Sequence, residues 1–211
     1  ATDYMYGSAS NTVGEAIAIT ASNTTPSGGS PSSGTYQPEI YLQHALARLS
    51  FTMQSATGRS VNATYDYVKK ITLKTSSNAF ITGTGTMRIA DGALGGGTKV
   101  AELTFTPKND VSSNTTAILC GAAGVPVEVG YGLVAPLASV DMTLTVVVGK
   151  PGDATDDRRL SANLSQITWK RGHTHKIQIT LSNRAISVSA GILPWTGSGS
   201  AGTGDVKPGG Y

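Results

Sequence analysis

From Glu39 onward the apolar residues of this chain recur at every second position, and that period constrains the fold more than any other feature. Tyr65, Tyr67, Ile71 and Leu73 share one parity; so do Ala101, Leu103 and Phe105, then Met142, Leu144, Val146 and Val148, then Ile177, Ile179 and Leu181, and finally Ile186 and Val188. Because successive side chains of a strand point to opposite faces, each run describes one buried and one solvated face. Each run is of strand length. Between them lie NATYD, TSSNA, ADGALGGG, PKNDVSSN, GKPGDATDD and SNRA, rich in the Asn, Asp, Gly, Pro and Ser of turns. Roughly eight to ten strands at this spacing predict an all-β sandwich or barrel, since βαβ units would need helical patterning between strands.

Composition agrees. Only 14% of the 211 residues are charged, and the abundant small residues suit short strands joined by tight turns. This length accommodates one large β domain or two small ones. The net charge is +3, and the cations fall in dispersed pairs, Lys69-Lys70, Arg158-Arg159 and Lys170-Arg171, rather than along one helix or face. Nucleic acid is therefore not an expected partner. Cys120 sits among small apolar neighbours in TAILCGAAG, which predicts a buried free thiol and rules out an intramolecular disulfide. No apolar run is long enough to span a bilayer and no signal peptide opens the chain, which reads as soluble, or as a mature form or fragment of an exported protein.

Residues 21–38, ASNTTPSGGSPSSGTYQP, are small and polar with three prolines, and they divide a short N-terminal piece from the main body. The expected organisation is an N-terminal arm and Gly/Ser/Pro-rich linker over 1–38, a β-sandwich domain over 39–195, and a flexible tail over 196–211. Within the arm, Ile17 and Ile19 of GEAIAITAS support one strand. In EIYLQHALARLSFTM the row Ile40, Leu42, His44 and the row Leu49, Phe51, Met53 have opposite parity. A strand, a kink at Ala45 to Arg48 and a second strand would explain the change.

Chemistry is sparse. RGHTHKIQITL places His173 and His175 one residue apart, so on a strand both face one side, a spacing that zinc sites use. His175, however, continues the inward row of Ile177, Ile179 and Leu181, and WKRGHTHKIQ contains no Asp or Glu to complete a ligand set. The pair is read as structural, with His44 the only other histidine. DGALGGGTK spaces Gly92 and Gly97 like a phosphate loop, but Thr98 precedes Lys99, the reverse of the required order, and a strand follows; it is read as a mobile hairpin loop. Asp153, Asp156 and Asp157 lack the ligand alternation of a calcium loop and read as a solvated turn. No nucleophile elbow, Cys–His pair or paired carboxylates appear, so neither a catalytic residue nor a cofactor or metal is expected.

TDYMYG at Thr2 to Gly7, YLQHALARLSF at Tyr41 to Phe51 and WKRGHTHKIQITLSNRAISVSAGILPWTGSG from Trp169 to Gly199 together resemble the fimbrillins of Bacteroides-type bacteria, subunits of surface pili. In that family an Asp-aromatic/Leu-Met-Tyr motif precedes a His-Ala-Leu-x-Arg segment. The chain then closes with a Gly-x-x-aromatic strand, a turn, an Ile-x-Val strand and a Trp. Two departures stand out: the family's N-terminal β domain does not precede TDYMYG here, and His175 replaces the aromatic after RGH. The resemblance implies a transthyretin-like β-sandwich of Greek-key type, a lipoprotein precursor at the outer membrane, proteolytic trimming, and polymerisation by donor-strand complementation.

The partners so implied are copies of this chain or related pilus subunits, and a host or bacterial surface ligand, with membrane contact only through a precursor's lipid anchor or an anchor subunit. Two segments could donate a strand: the N-terminal arm around Ile17 and Ile19, or the C-terminal run with Ile186, Val188, Ile192, Leu193 and Trp195 and the tail to Tyr211. The family favours the second. Two rival functions differ in class. One is a tip adhesin for carbohydrate or host protein, for which few aromatic platforms are present; the other is a zinc-dependent enzyme using His44, His173 and His175.

Overall fold

The computed structural model describes residues 3–17, 40–105, 107 and 117–195. Every named element in it is a strand. Strands β4 (Tyr67–Thr75), β7 (Glu102–Phe105), β8 (Ile118–Leu119), β10 (Leu137–Gly149) and β11 (Arg158–Trp169) form one sheet in the order β11-β10-β4-β7, with β8 also pairing with β4. Strands β3 (Ala47–Ser55), β9 (Val127–Val134), β12 (His173–Leu181) and β13 (Ile186–Pro194) form the other, in the order β13-β12-β3-β9. The two inner faces share one core, in which Phe51, Leu49, Met53, Ile71, Leu73, Leu144 and Ile179 are fully buried, as a β-sandwich requires.

The alternation seen in the sequence places these residues. Met142, Leu144, Val146 and Val148 on β10 all face the core, as do Ile177, Ile179 and Leu181 on β12. Tyr65 departs from its row: it lies in the turn ahead of β4 and is 39% exposed, because the Asn62 side chain accepts hydrogen bonds from the Thr64 and Tyr65 amides and holds them in a turn. The kink is present, for β2 (Tyr41–His44) ends at His44, Ala45 and Leu46 bend, and β3 begins at Ala47. The bend lets β2 leave the sandwich and pair with β1 (Met5–Ser8) while β3 enters the core.

Two expectations need correction. DGALGGGTK is not a mobile loop at its glycines, since Gly95, Gly96 and Gly97 belong to β6 (Leu94–Val100), paired with β5 (Phe80–Met87), and the turn lies ahead of them. Glycine is needed because a Cβ on Gly85 would meet the Gly95 carbonyl at 2.7 Å, and Gly97, at φ 76°, faces the Thr82 carbonyl. In the N-terminal piece the strand is β1, ahead of Ile17; Gly14 to Ile17 run without regular structure, and Ile19 lies outside the described residues, as do 21–38 and the tail 196–211.

A buried ion triad closes one end of the sandwich. Asp66, fully buried, accepts from Arg59 at 2.6 and 2.7 Å, from Arg158 at 2.7 Å and from the Asn62 amide at 2.7 Å. Its own carbonyl accepts from the Cys120 amide. Cys120 is buried as expected, and burial together with the Asp66 charge pushes its thiol up to about 11.

Candidate functional site

β13 is the edge of its sheet and pairs with β12 along its whole length, from Leu181↔Ile186 to His173↔Pro194. In this register Ile186, Val188, Ala190 and Ile192 lie opposite Leu181, Ile179, Ile177 and His175, so all four sit on the core-facing side. Cover fades along the strand. Ile186 is buried, Val188 is half-buried against the core, and Ile192 is 49% exposed, while Leu193 on the other face is 46% exposed. The outer half of β13 is thus held by backbone pairing more than by burial.

Its end is anchored by Trp195. The Trp195 amide donates to the Gly172 carbonyl at 2.8 Å, and the indole lies on the imidazole of His44, with ring centroids 3.9 Å apart and planes 15° from parallel. Pro194 removes a backbone donor just before this contact. His44 Nδ1 in turn donates to Asp3 Oδ2 at 2.6 Å, and Asp3 Oδ1 is buried with no hydrogen-bond partner among the described residues.

The N-terminal segment supports this anchor. β1 pairs with β2 so that Met5 lies opposite His44, and the Ala45 amide donates to the Tyr4 carbonyl at 2.8 Å. Tyr6 is fully buried, its hydroxyl donating to the Glu15 carbonyl and its ring lying beneath the Arg171 guanidinium, 5.5 Å from the centroid. Burial raises the Tyr6 phenol above its usual range, with Arg171 partly opposing. Gly92 must lack a side chain here: at φ 65° its Cβ would stand 2.2 Å from the Tyr6 ring. The buried Gln43 amide donates to the Ser10 and Thr12 carbonyls and its oxygen accepts from the Gly14 amide. Residues 3–17 therefore pack on β2 and on the turn between β11 and β12, where Gly172 meets Val13.

The histidines hold different partners. His173 Nδ1 donates to the Arg171 carbonyl at 2.8 Å. His175 is buried, in line with its inward parity, and its Nε2 lies 2.9 Å from the Lys170 amide but 3.4 Å from the Lys170 carbonyl, so this nitrogen accepts and the proton sits on Nδ1. Burial holds its pKa below the usual histidine range. His44 is committed to Asp3 and Trp195. Among the described residues no three His, Cys, Asp or Glu side chains gather as metal ligands. Asp153 caps its own turn through Thr155, which lowers its pKa, and Asp157 pairs with Lys69 at 2.7 Å.

An apolar groove of about 420 Å³ lies between the β5–β6 hairpin and the sandwich, with Tyr4, Leu46, Ile81, Met87, Leu94 and Val134 in its walls and, among the described residues, no charged side chain lining it. Nothing in the sequence points to it, because its walls come from six separate segments. The same holds for the Trp195–His44–Asp3 chain, whose members are far apart in sequence and meet through the β1–β2 pairing on one side and the end of β13 on the other.

A family model described as fimbrillin-like matches residues 2–195. No curated protein matches the chain. Among solved structures, a putative cell adhesion protein from Bacteroides ovatus is similar at 15% identity over 74% of this chain and 47% of that one, with a TM-score of 0.47. A fimbrial protein from Bacteroides vulgatus is similar at 13% identity over 74% and 56%, with a TM-score of 0.48. The tip fimbrial protein Mfa3 from Porphyromonas gingivalis is similar at 11% identity over 73% and 52%, with a TM-score of 0.35. The chain spans about half the length of the solved structures it matches.

Proposed function

The chain belongs to the fimbrillin-like family, and from that premise we propose that it is a non-catalytic structural subunit of a bacterial surface pilus that polymerises by donor-strand complementation and supports adhesion. In this reading it reaches the cell surface as an outer-membrane lipoprotein precursor, loses its leader by proteolysis, and assembles with copies of itself or related pilus subunits. The sandwich is of the transthyretin-like, Greek-key type. The donor is the C-terminal strand with Ile186, Val188, Ile192, Leu193 and Trp195.

One observation carries the choice of donor: β13 is an edge strand whose last residues are exposed on both faces and whose end is held by one stacked ring and one backbone hydrogen bond. A strand that forms a nine-pair ladder with β12 within one molecule forms the same ladder with β12 of a neighbour when the connection opens, as in domain swapping. Each subunit would then fill its neighbour's edge and leave its own to be filled. The pattern is heterologous and open-ended, which a filament requires.

Register suggests the test. Lys176 and Gly191 are exposed partners across β12 and β13. The double substitution Lys176→Cys, Gly191→Cys in a Cys120→Ala background should give a disulfide within one chain when the protein is monomeric and between chains when filaments form before oxidation. Filaments whose cross-links stay within each chain would exclude exchange of β13.

A further inference from the structure

We propose that the outer face of the β11-β10-β4-β7 sheet binds an acidic polysaccharide. The register of these strands arranges their outward side chains in three rows. Asn163, Thr143, Lys74 and Glu102 form the first; Ser161, Thr145, Thr72 and Thr104 the second; Arg159, Val147 and Lys70 the third. The second row is made of hydroxyls alone. Along it the side chains are set by the spacing of adjacent strands, about 4.8 Å, and the rows themselves are about 7 Å apart, so the face is a regular grid.

Within the grid, Thr145 and Ser161 hydroxyls are 2.9 Å apart and Thr143 donates to the Asn163 side-chain oxygen at 3.1 Å. These contacts orient the hydroxyls while leaving further donor and acceptor capacity. Such a surface suits a ligand that is itself covered in hydroxyl groups.

The cations select an acidic one. Two of the three dibasic pairs are divided by the fold. Lys69 turns to Asp157 and Arg158 to Asp66, so both are neutralised. Lys70 and Arg159 instead flank Val147 on the outer face, one strand to either side, with no ion pair among the described residues. Lys74 joins them on the same face, where Glu102 stands opposite Lys74 and Asp141, the next outward residue along β10, accepts from the Gln166 amide. Three cations around a hydroxyl row attract a polymer with spaced carboxylates or sulfates.

Other polyanions fit less well. The face has too few cations to follow a phosphate backbone, and Tyr67, opposite Gly149 beside the third row, is a single platform where a run of stacked bases needs several. Nor does it offer an apolar side chain to a lipid layer, as Val147, its only apolar member, is 6% exposed. It lies on the opposite sheet from β13, so its binding is independent of strand exchange.

Surface plasmon resonance of the full chain over immobilised polygalacturonate and dextran sulfate tests the assignment, with neutral dextran, duplex DNA and phosphatidylglycerol vesicles alongside. Both acidic polysaccharides should bind and dextran should not. Lys70→Gln, Lys74→Gln and Arg159→Gln together should weaken binding about tenfold. The same charge removed elsewhere, by Lys99→Gln, Lys176→Gln and Arg184→Gln, should leave binding within about twofold. All six side chains lie at least partly in solvent, and unchanged near-ultraviolet dichroism will show that both variants fold. Lack of binding to either acidic polysaccharide, equal weakening by the two triple variants, or tighter binding to DNA or vesicles would each overturn the proposal.

Discussion

The indole of Trp195 lies on the imidazole of His44, 3.9 Å between centroids, and the same imidazole holds Asp3 at 2.6 Å. Three distant segments, the N-terminal residues, the end of β2 and the end of β13, thus meet in one stack. Removing the middle member should cost most, because His44→Ala deprives a largely buried Asp3 carboxylate of its donor and Trp195 of its platform. We expect a loss of about 2–3 kcal/mol for His44→Ala and about 1–2 kcal/mol for the partly exposed Trp195→Ala. The double variant should cost less than the sum by about 0.5–1.5 kcal/mol. Urea unfolding of all four proteins measures this cycle. Strict additivity would mean that the stack contributes nothing.

A pH dependence follows from His175. Its folded pKa lies below the ordinary 6.5, mainly through burial. The unfolded chain therefore takes up the proton first on acidification. The stability associated with a neutral His175 is complete above about 6.5 and is lost as pH falls towards the folded value. His175→Gln offers the Lys170 amide an oxygen in place of Nε2 and removes the titration. The variant's stability should fall less steeply than that of wild type between pH 7 and 5. Parallel curves would place the acid sensitivity at other groups.

The Asp66 triad gives a larger effect. Asp66 is fully buried between Arg59, whose side chain is 11% exposed, and Arg158, whose side chain is 35% exposed. Asp66→Ala leaves both guanidiniums without their partner and should destabilise by about 3–5 kcal/mol, whereas Arg158→Ala removes the more solvated contact and should cost about 1 kcal/mol. Chemical denaturation midpoints at neutral pH will rank the two. If Arg158→Ala proved the costlier, the burial of Arg59 would not be the governing factor.

What could be read in advance follows from distance along the chain. Parity is local, so the inward rows of β10 and β12, the inward His175 and the kink after His44 were legible before any contact was known. Partner choice is not local. Arg158 and Asp66 are 92 positions apart and His44 and Asp3 are 41 apart. A dibasic pair such as Lys69-Lys70 does not reveal that one member will turn to Asp157 and the other outward; that depends on the bulge where β4 meets Val147 and Val148 of β10. Gly95 to Gly97 read as a loop because glycine favours turns. In β6 the same lack of side chains serves close backbone approach instead.

Assembly provides the last expectation. Deleting Ile192 to Tyr211 removes the exposed end of β13 and the Trp195 anchor but keeps Ile186, the strand's one buried apolar side chain, and Val188, which packs against the core. Because little apolar surface in the described part of that deletion is buried, the truncated chain should remain a folded β-sandwich and lose only about 1–3 kcal/mol, chiefly from the Trp195–His44 stack and the lost backbone pairs. A donor strand ending at Gly191 would lack Ile192, Leu193 and Trp195 and the three terminal pairs to His173, Thr174 and His175. Its ladder in a neighbour would be shorter by a third and have no anchor. Circular dichroism should therefore show retained β structure, while electron microscopy and sedimentation show monomers where the full chain forms filaments resistant to mild denaturant. Filaments of normal length from the truncated chain would remove β13 as the donor and leave the N-terminal segment around Ile17 and Ile19 as the strand to test next.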